Sequence, residues 1–88
     1  RDGSLSFSGV GNQETIECND SVVSVSGMSK TVVLIGHCAK VMVSGVKNVV
    51  TVDTSDTISA SGFENQVTYH SGSPTIQNAG SDNLVQQD

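Results

Sequence analysis

Aromatic residues are nearly absent from this chain. Its 88 residues include two Phe, one Tyr and no Trp, although each buried aromatic side chain contributes about 150–250 Å² to a core. The apolar content lies instead in Val, Ile and Leu, with Ser, Thr, Gly and Asn between them. That mixture favours strands and tight turns over helices. The length suits one small domain over residues 1–88, with a thin core.

Basic residues and long apolar runs are also scarce. The formal net charge is −5, and the four basic residues are scattered: Arg1, Lys30, Lys40 and Lys47. We therefore expect no nucleic-acid partner and no polybasic membrane contact, since both need clustered basic residues. No apolar run approaches the roughly 20 residues of a membrane-spanning helix. No signal peptide is visible and the first residue is not Met, so we expect a mature or trimmed chain.

What the chain does have is an internal repeat. The stretch "VMVSGVKNVVTVD" (41–53) has near copies in "VSVSGMSKTVVLI" (23–35) and "ISASGFENQVTYH" (58–70). Each copy contains a Ser-Gly or Ala-Gly pair near its middle. We call the glycines of these pairs the corner glycines: Gly9, Gly27, Gly45, Gly62 and Gly80. Their sequence numbers differ in turn by 18, 18, 17 and 18. A nearly fixed period of this kind indicates stacked repeats.

Apolar residues keep fixed positions relative to the corner glycines. They stand four and two residues before the glycine, and one, five and seven residues after it. We expect these columns to face inward, because neither stretch of alternating residues can bury its apolar face alone. The sequence thus predicts an all-β, parallel β-solenoid (β-helix) of about five coils, each about 18 residues long, with glycine turning each corner. The chirality of parallel crossovers predicts a right-handed solenoid.

An asparagine column stands three residues after the corner glycines, at Asn12, Asn48, Asn65 and Asn83. This column lies an even number of residues from the inward columns that follow it, so its side chains should face inward as well. We therefore expect an internal amide ladder that satisfies backbone groups at the corner. A row of ligand-binding amides is the functional alternative. Lys30 interrupts the column, and we expect its side chain to turn outward.

The remaining residues of each coil form a third side, comprising residues 17–22, 35–40, 53–57 and 70–75. This third side varies in sequence, and we expect loops there, where function would be placed on a rigid scaffold. The last stretch, 76–88, carries Asn78 and Ser81 in columns that are otherwise apolar. We interpret it as a polar terminal coil that protects the open end of the solenoid.

The two cysteines, Cys18 and Cys38, lie on the third side of successive coils. Because stacked coils are about 4.8 Å apart, their Cα atoms fall near the range of a disulfide. A bridge of this span would stabilise the fold by about 3 kcal/mol and would indicate an oxidising compartment. A redox-active pair is the alternative, but there is no CxxC motif to lower a thiol pKa.

A candidate surface site lies on the third side at Asp53, Asp56 and His70. Asp53 and His70 occupy equivalent positions in adjacent coils, and an Asp–His pair near Ser71 or Ser73 suggests a hydrolase. The alternative is a surface ion pair, since a catalytic serine also needs a pocket and an oxyanion site. The neighbouring acids could bind calcium, although a solvated acidic face explains them as well. We expect no catalytic, cofactor or metal site.

The motif VxVSGxxNxVxV, with paired cysteines flanking one copy, resembles a domain-of-unknown-function family of small exported proteins and lipoproteins of actinobacteria, especially mycobacteria. The motif is carried by Ser26-Gly27, Ser44-Gly45, Ser61-Gly62, Asn48, Asn65, Asn83, Cys18 and Cys38, and the similarity runs from about Leu5 to Val85. The resemblance implies a β-solenoid, which is secreted or attached to the cell envelope, and it carries no assigned catalytic residues.

Together these features predict a non-enzymatic structural or binding module without a cofactor. Its partner would be an unknown protein or a glycan, and it would meet a membrane only through a lipid anchor outside this chain. One alternative is a solenoid that assembles end to end, which the polar terminal coil disfavours. Another is a small hydrolase or lyase built on a β-helix, which would need a cleft beside Asp53 and His70.

Overall fold

The computed structural model describes residues 3–88 and confirms an all-β chain, with no helix among those residues. The strands are β1 (Ser4–Phe7), β2 (Gln13–Glu17), β3 (Val22–Val25), β4 (Thr31–Val43), β5 (Val49–Ala60), β6 (Gln66–Tyr69), β7 (Thr75–Asn78) and β8 (Leu84–Gln87). Every pair of neighbouring strands is parallel. This pattern confirms the predicted parallel β-solenoid of about five coils.

The pairing follows the sequence repeat. Val23 pairs with Leu5 in the coil before it and with Val41 in the coil after it, and each partner is one repeat period away in sequence. The Cα atoms extend over 28 × 23 × 19 Å, which agrees with five rungs at about 4.8 Å each. Equivalent residues of successive repeats are therefore neighbours in space.

The third side differs from the prediction in the central coils. β4 and β5 run through residues 35–40 and 53–57 as continuous strands, so the loop prediction is wrong there. Leu34 pairs with Val52, but His37 pairs with Thr54, so the register between these strands shifts by one residue and a β-bulge between Leu34 and His37 takes up the difference. Gly36 lies in this bulge with a φ of 88°. In the outer coils, residues 18–21 and 70–74 of the third side lie outside strands.

The core consists of stacked aliphatic columns. Its fully buried members come mainly from β3, β4 and β5, with Val67 from β6, and both cysteines join them. Phe7 and Tyr69 pack against this core but are only partly buried. Branched side chains suit the inside of a narrow solenoid because stacked copies fill each column without large rings.

The column one residue after each corner glycine faces outward, which corrects the expectation that it is internal. Val10, Met28 and Phe63 are 71%, 50% and 56% exposed. The corner glycine has a positive φ, and so does the residue two positions after it, as in Lys47 (φ 56°) and Glu64 (φ 56°). These two departures from β geometry reset the alternation of side chains, so the intervening residue points to solvent.

The corner glycines are required by close packing between coils. A Cβ atom on Gly45 would lie 2.1 Å from the carbonyl oxygen of Gly27 in the preceding coil, and Gly45 has a φ of 95°. Any side chain at this position would collide with backbone as well as strain its own dihedrals.

The last coil is mostly exposed. All four residues of β7 are exposed, including Ile76, which belongs to a column that is buried in the three central coils. Asn78 donates a hydrogen bond from its amide nitrogen to the carbonyl of Asn83. Ser81 stands in the outward column, so it does not replace a core residue as the sequence suggested.

Candidate functional site

The third side is fastened by the predicted disulfide. Cys18 and Cys38 are bonded, with their Cα atoms 5.3 Å apart, and both residues are completely buried. The bridge joins the third side of the first coil to β4, and it spans 20 residues of sequence. It therefore holds in place the surface that carries the candidate site.

Asparagine side chains link the coils at the glycine corner. The Asn48 side-chain oxygen accepts a bond from the backbone N–H of Lys30, Asn65 accepts from Asn48, and Asn83 accepts from Asn65, at 2.9–3.0 Å. Each side-chain nitrogen donates to the carbonyl four residues earlier, which belongs to Ser44, Ser61 or Ala79. The same nitrogens also contact the corner glycine of the preceding coil, namely Gly27, Gly45 or Gly62.

These bonds give the asparagines a structural role. Asn48 and Asn65 are completely buried, so their amides have no surface from which to bind a ligand. Asn12 occupies the first position of the column, where its side chain is exposed.

Lys30 corrects another expectation. Its side chain is completely buried and forms an ion pair and hydrogen bond with Glu14 of the first coil. Both residues depart from their columns, since Lys30 stands in the asparagine column and Glu14 stands in an apolar one. The two departures are complementary, because the carboxylate neutralises a charge that could not otherwise be buried.

Asp53 and His70 lie near each other but make a loose contact. Asp53 Oδ1 and His70 Nε2 are 3.9 Å apart, which is too long for a hydrogen bond. Asp53 instead accepts a bond of 2.8 Å from the backbone N–H of Gly36 in the β-bulge. His70 Nδ1 lies 3.2 Å from Oδ2 of Asp88.

The tightest side-chain cluster on the third side centres on His37, which the sequence reasoning did not single out. His37 Nδ1 lies 2.5 Å from Asp20 Oδ1, and His37 Nε2 lies 2.9 Å from Asp56 Oδ1. Asp56 was a predicted site residue, and its partner in the structure is His37. The separations of 17 and 19 residues in sequence, close to one coil, were the signal that could have identified this cluster.

The geometry sets the charge of His37. A neutral imidazole has one donor nitrogen and one acceptor nitrogen, whereas ionised carboxylates only accept. Hydrogen bonds from both ring nitrogens therefore require the imidazolium. The bonds to Asp20 and Asp56 raise the pKa of His37, and the bond from His37 lowers the pKa of Asp20. We call Asp20, His37 and Asp56 the histidine clasp.

The histidine clasp connects neighbouring coils. Its three side chains come from the first coil, β4 and β5, and both ring nitrogens are occupied by carboxylates. No group of three or more His, Cys, Asp or Glu side chains within residues 3–88 is placed to hold a metal ion. None of those residues forms a helix long and apolar enough to cross a membrane.

A shallow groove lies on a different face, beside the outward column. It has a volume of about 390 Å³ and is lined by Lys47, Val49, Glu64, Gln66, Asp82 and Leu84. These residues come in pairs from three successive coils, so the groove follows the direction of stacking. Neither Asp53 nor His70 lines it.

Residues 25–82 match the model of DUF3060, described as a protein of unknown function. The match covers 58 of the 88 residues, from Val25 to Asp82, and the chain therefore belongs to the DUF3060 family. This confirms the predicted membership of a family of unknown function. No curated protein and no solved structure matches the chain.

Proposed function

We propose that this DUF3060 protein is a non-enzymatic module, exported to the cell envelope or secreted, that serves as a rigid structural and binding element. The observation that carries the proposal is the buried disulfide between Cys18 and Cys38. Structural disulfides form and persist in oxidising compartments and are rare in the cytosol. The resemblance to exported actinobacterial proteins and lipoproteins points to the same location.

The arrangement of the polar side chains supports a role without catalysis. A general base needs a free ring nitrogen within reach of a substrate proton, but both nitrogens of His37 are engaged by carboxylates. Asp53, which would orient His70 in a hydrolase, is hydrogen-bonded to the backbone of Gly36. The groove lies elsewhere on the surface.

Rigidity is the property that such a module would contribute. The disulfide, the asparagine ladder and the histidine clasp each connect neighbouring coils. Together they fix side chains on the outer faces before any partner arrives, which lowers the entropic cost of binding.

Thiol trapping in intact cells tests the proposal. Cells that make the full-length protein are treated with a membrane-permeant alkylating agent, fractionated, and the protein is analysed by mass spectrometry. We expect unalkylated, disulfide-bonded protein in the envelope or medium. The protein is denatured in the presence of the agent before analysis, because Cys18 is completely buried in the folded protein. A Cys38→Ser variant is the matched control, since its single thiol at Cys18 must then become alkylated. Protein recovered from the cytosol with both thiols alkylated would refute export.

A further inference from the structure

The outward column after the corner glycines forms an apolar stripe on the surface. We define the corner stripe as Val10, Met28, Val46 and Phe63, which pair with one another through isolated parallel bridges. Val10, Phe63 and Met28 are at least half exposed. The other outward positions of the repeat are largely Ser, Thr and Gln, so an apolar column here needs a separate explanation.

Folding does not require apolar residues in the corner stripe. Ser81 occupies the same column in the last coil, forms the same parallel bridge to Phe63, and is followed by a residue of positive φ, Asp82 (φ 60°). The same corner geometry therefore also forms with serine. Since stacking leaves about half of the Met28 and Phe63 surface exposed to water, the corner stripe suggests a surface that a partner covers.

Charged residues stand beside the corner stripe without partners. Lys47, Glu64 and Asp82 follow the stripe positions in three successive coils and are exposed. None of the ion pairs found between residues 3 and 88 involves any of them. They line the groove together with the outward residues Val49, Gln66 and Leu84.

We propose that the corner stripe and this groove bind an extended segment of another protein, one that carries apolar side chains and at least two basic residues. The basic residues would face Glu64 and Asp82, and the apolar residues would cover Met28, Phe63 and Leu84. The groove spans three coils, or about 10 Å at the spacing of β-strands, which is about three residues of extended chain. This proposal rests on the proposed binding role and names its partner.

Charge and side-chain type favour this occupant over others. A second copy of the chain carries the same net charge of −5, which opposes self-association. An anionic membrane surface would be repelled by Glu64 and Asp82 for the same reason. A neutral glycan would leave the three unpaired charges unused, and Phe63 is the one flat ring that the corner stripe offers for it to stack on.

Selection from a random peptide library displayed on phage tests the proposal with the intact, disulfide-bonded protein. We expect the selected peptides to combine apolar residues with at least two basic residues. A Met28→Ser/Phe63→Ser variant, which extends the serine found at Ser81 to two more coils, should weaken their binding by at least about tenfold, because exposed aromatic anchors dominate small interfaces. Ile35→Ser is the matched control, since Ile35 is 46% exposed but lies outside the stripe and groove.

A charge-reversal variant gives an independent readout. Glu64→Lys/Asp82→Lys keeps the fold, because Lys47 already occupies the same column with a positive φ, and it should shift the selection toward acidic peptides. Retention of binding by both variants, or failure to enrich any sequence, would overturn the proposal. So would stripe-dependent binding on a glycan array or stripe-dependent dimerisation in sedimentation. Export is judged separately by thiol trapping, so failure of one proposal leaves the other standing.

Discussion

The buried ammonium of Lys30 forms an ion pair with Glu14 of the preceding coil. Each residue alone breaks a column of the repeat, and together they make one partly buried ion pair at the edge of the core. Two irregularities that look independent in the sequence are therefore one feature of the structure.

Substitutions of Glu14 and Lys30 should have coupled effects on stability. Glu14→Val leaves a buried charge without a partner and should cost about 3 kcal/mol of unfolding free energy. Lys30→Asn should cost less, because Glu14 retains 35% of its side-chain exposure and can be hydrated. The double variant, which restores both columns, should recover the stability of the parent. Urea denaturation of all four proteins measures the coupling, and strictly additive losses would contradict it.

The asparagine ladder should stabilise the fold most where it is buried. Asn65→Ala would remove the acceptor for the Asn48 N–H and the donor to the carbonyls of Ser61 and Gly45. Leaving these groups unpaired should cost about 3 kcal/mol. Asn12→Ala is the control at the exposed end of the column and should change stability by less than about 0.5 kcal/mol. Equal losses in the two variants would show that burial does not set the effect.

At the corner glycines, collision with the preceding coil should account for most of the stability lost on substitution. Gly45→Ala would strain φ and place a Cβ atom 2.1 Å from the backbone of Gly27, so we expect a loss of about 3 kcal/mol or more. Gly72 also has a positive φ, of 92°, but its Cβ would meet nothing within 4 Å. Gly72→Ala should therefore cost only about 1–2 kcal/mol. Thermal unfolding of both variants separates backbone strain from collision, and similar melting temperatures would argue against collision.

The histidine clasp should make stability depend on pH in two opposite directions. The pKa of His37 is raised in the folded state, so its contribution is complete below the unfolded value of about 6.5 and is lost as pH rises through the folded pKa. The pKa of Asp20 is lowered, so its contribution is present above the unfolded value of about 3.9 and is lost as pH falls through the folded pKa.

Melting temperatures across this pH range test the histidine clasp. Those of the parent protein should decline as pH rises above neutrality. His37→Gln should flatten that decline, and His70→Gln serves as the matched histidine control. A parent protein whose melting temperature is constant from about pH 6 to about pH 9 would contradict this expectation.

The repeat made much of the fold predictable. The intervals between corner glycines predict which strands pair, and the structure pairs Val23 with Leu5 and Val41 accordingly. The same intervals brought Cys18 and Cys38 within reach of each other. These predictions succeed because, in a parallel stack, separation by one period in sequence becomes adjacency in space.

The candidate site was predicted less completely. Asp53, Asp56 and His70 do lie on one side of the solenoid, but the closest contacts of Asp56 and Asp53 are with His37 and the Gly36 backbone. The β-bulge at Gly36 shifts the register there by one residue. If the residues of the third side are matched by their order in each coil, the position of this register shift cannot be predicted. The bulge depends on how β4 and β5 pair.

By itself, the sequence determined the period, the number of coils, the aliphatic columns and the disulfide, since regular alternation and regular spacing are local properties that stacking preserves. Only the tertiary structure decided which way the side chains at irregular positions point. Lys30 is buried because Glu14 neutralises it from the preceding coil, and the corner stripe is exposed because two residues of positive φ reset the alternation. The charge that neutralises Lys30 comes from a neighbouring coil, which no single repeat contains, and the backbone dihedrals at each corner cannot be read from the spacing of apolar residues.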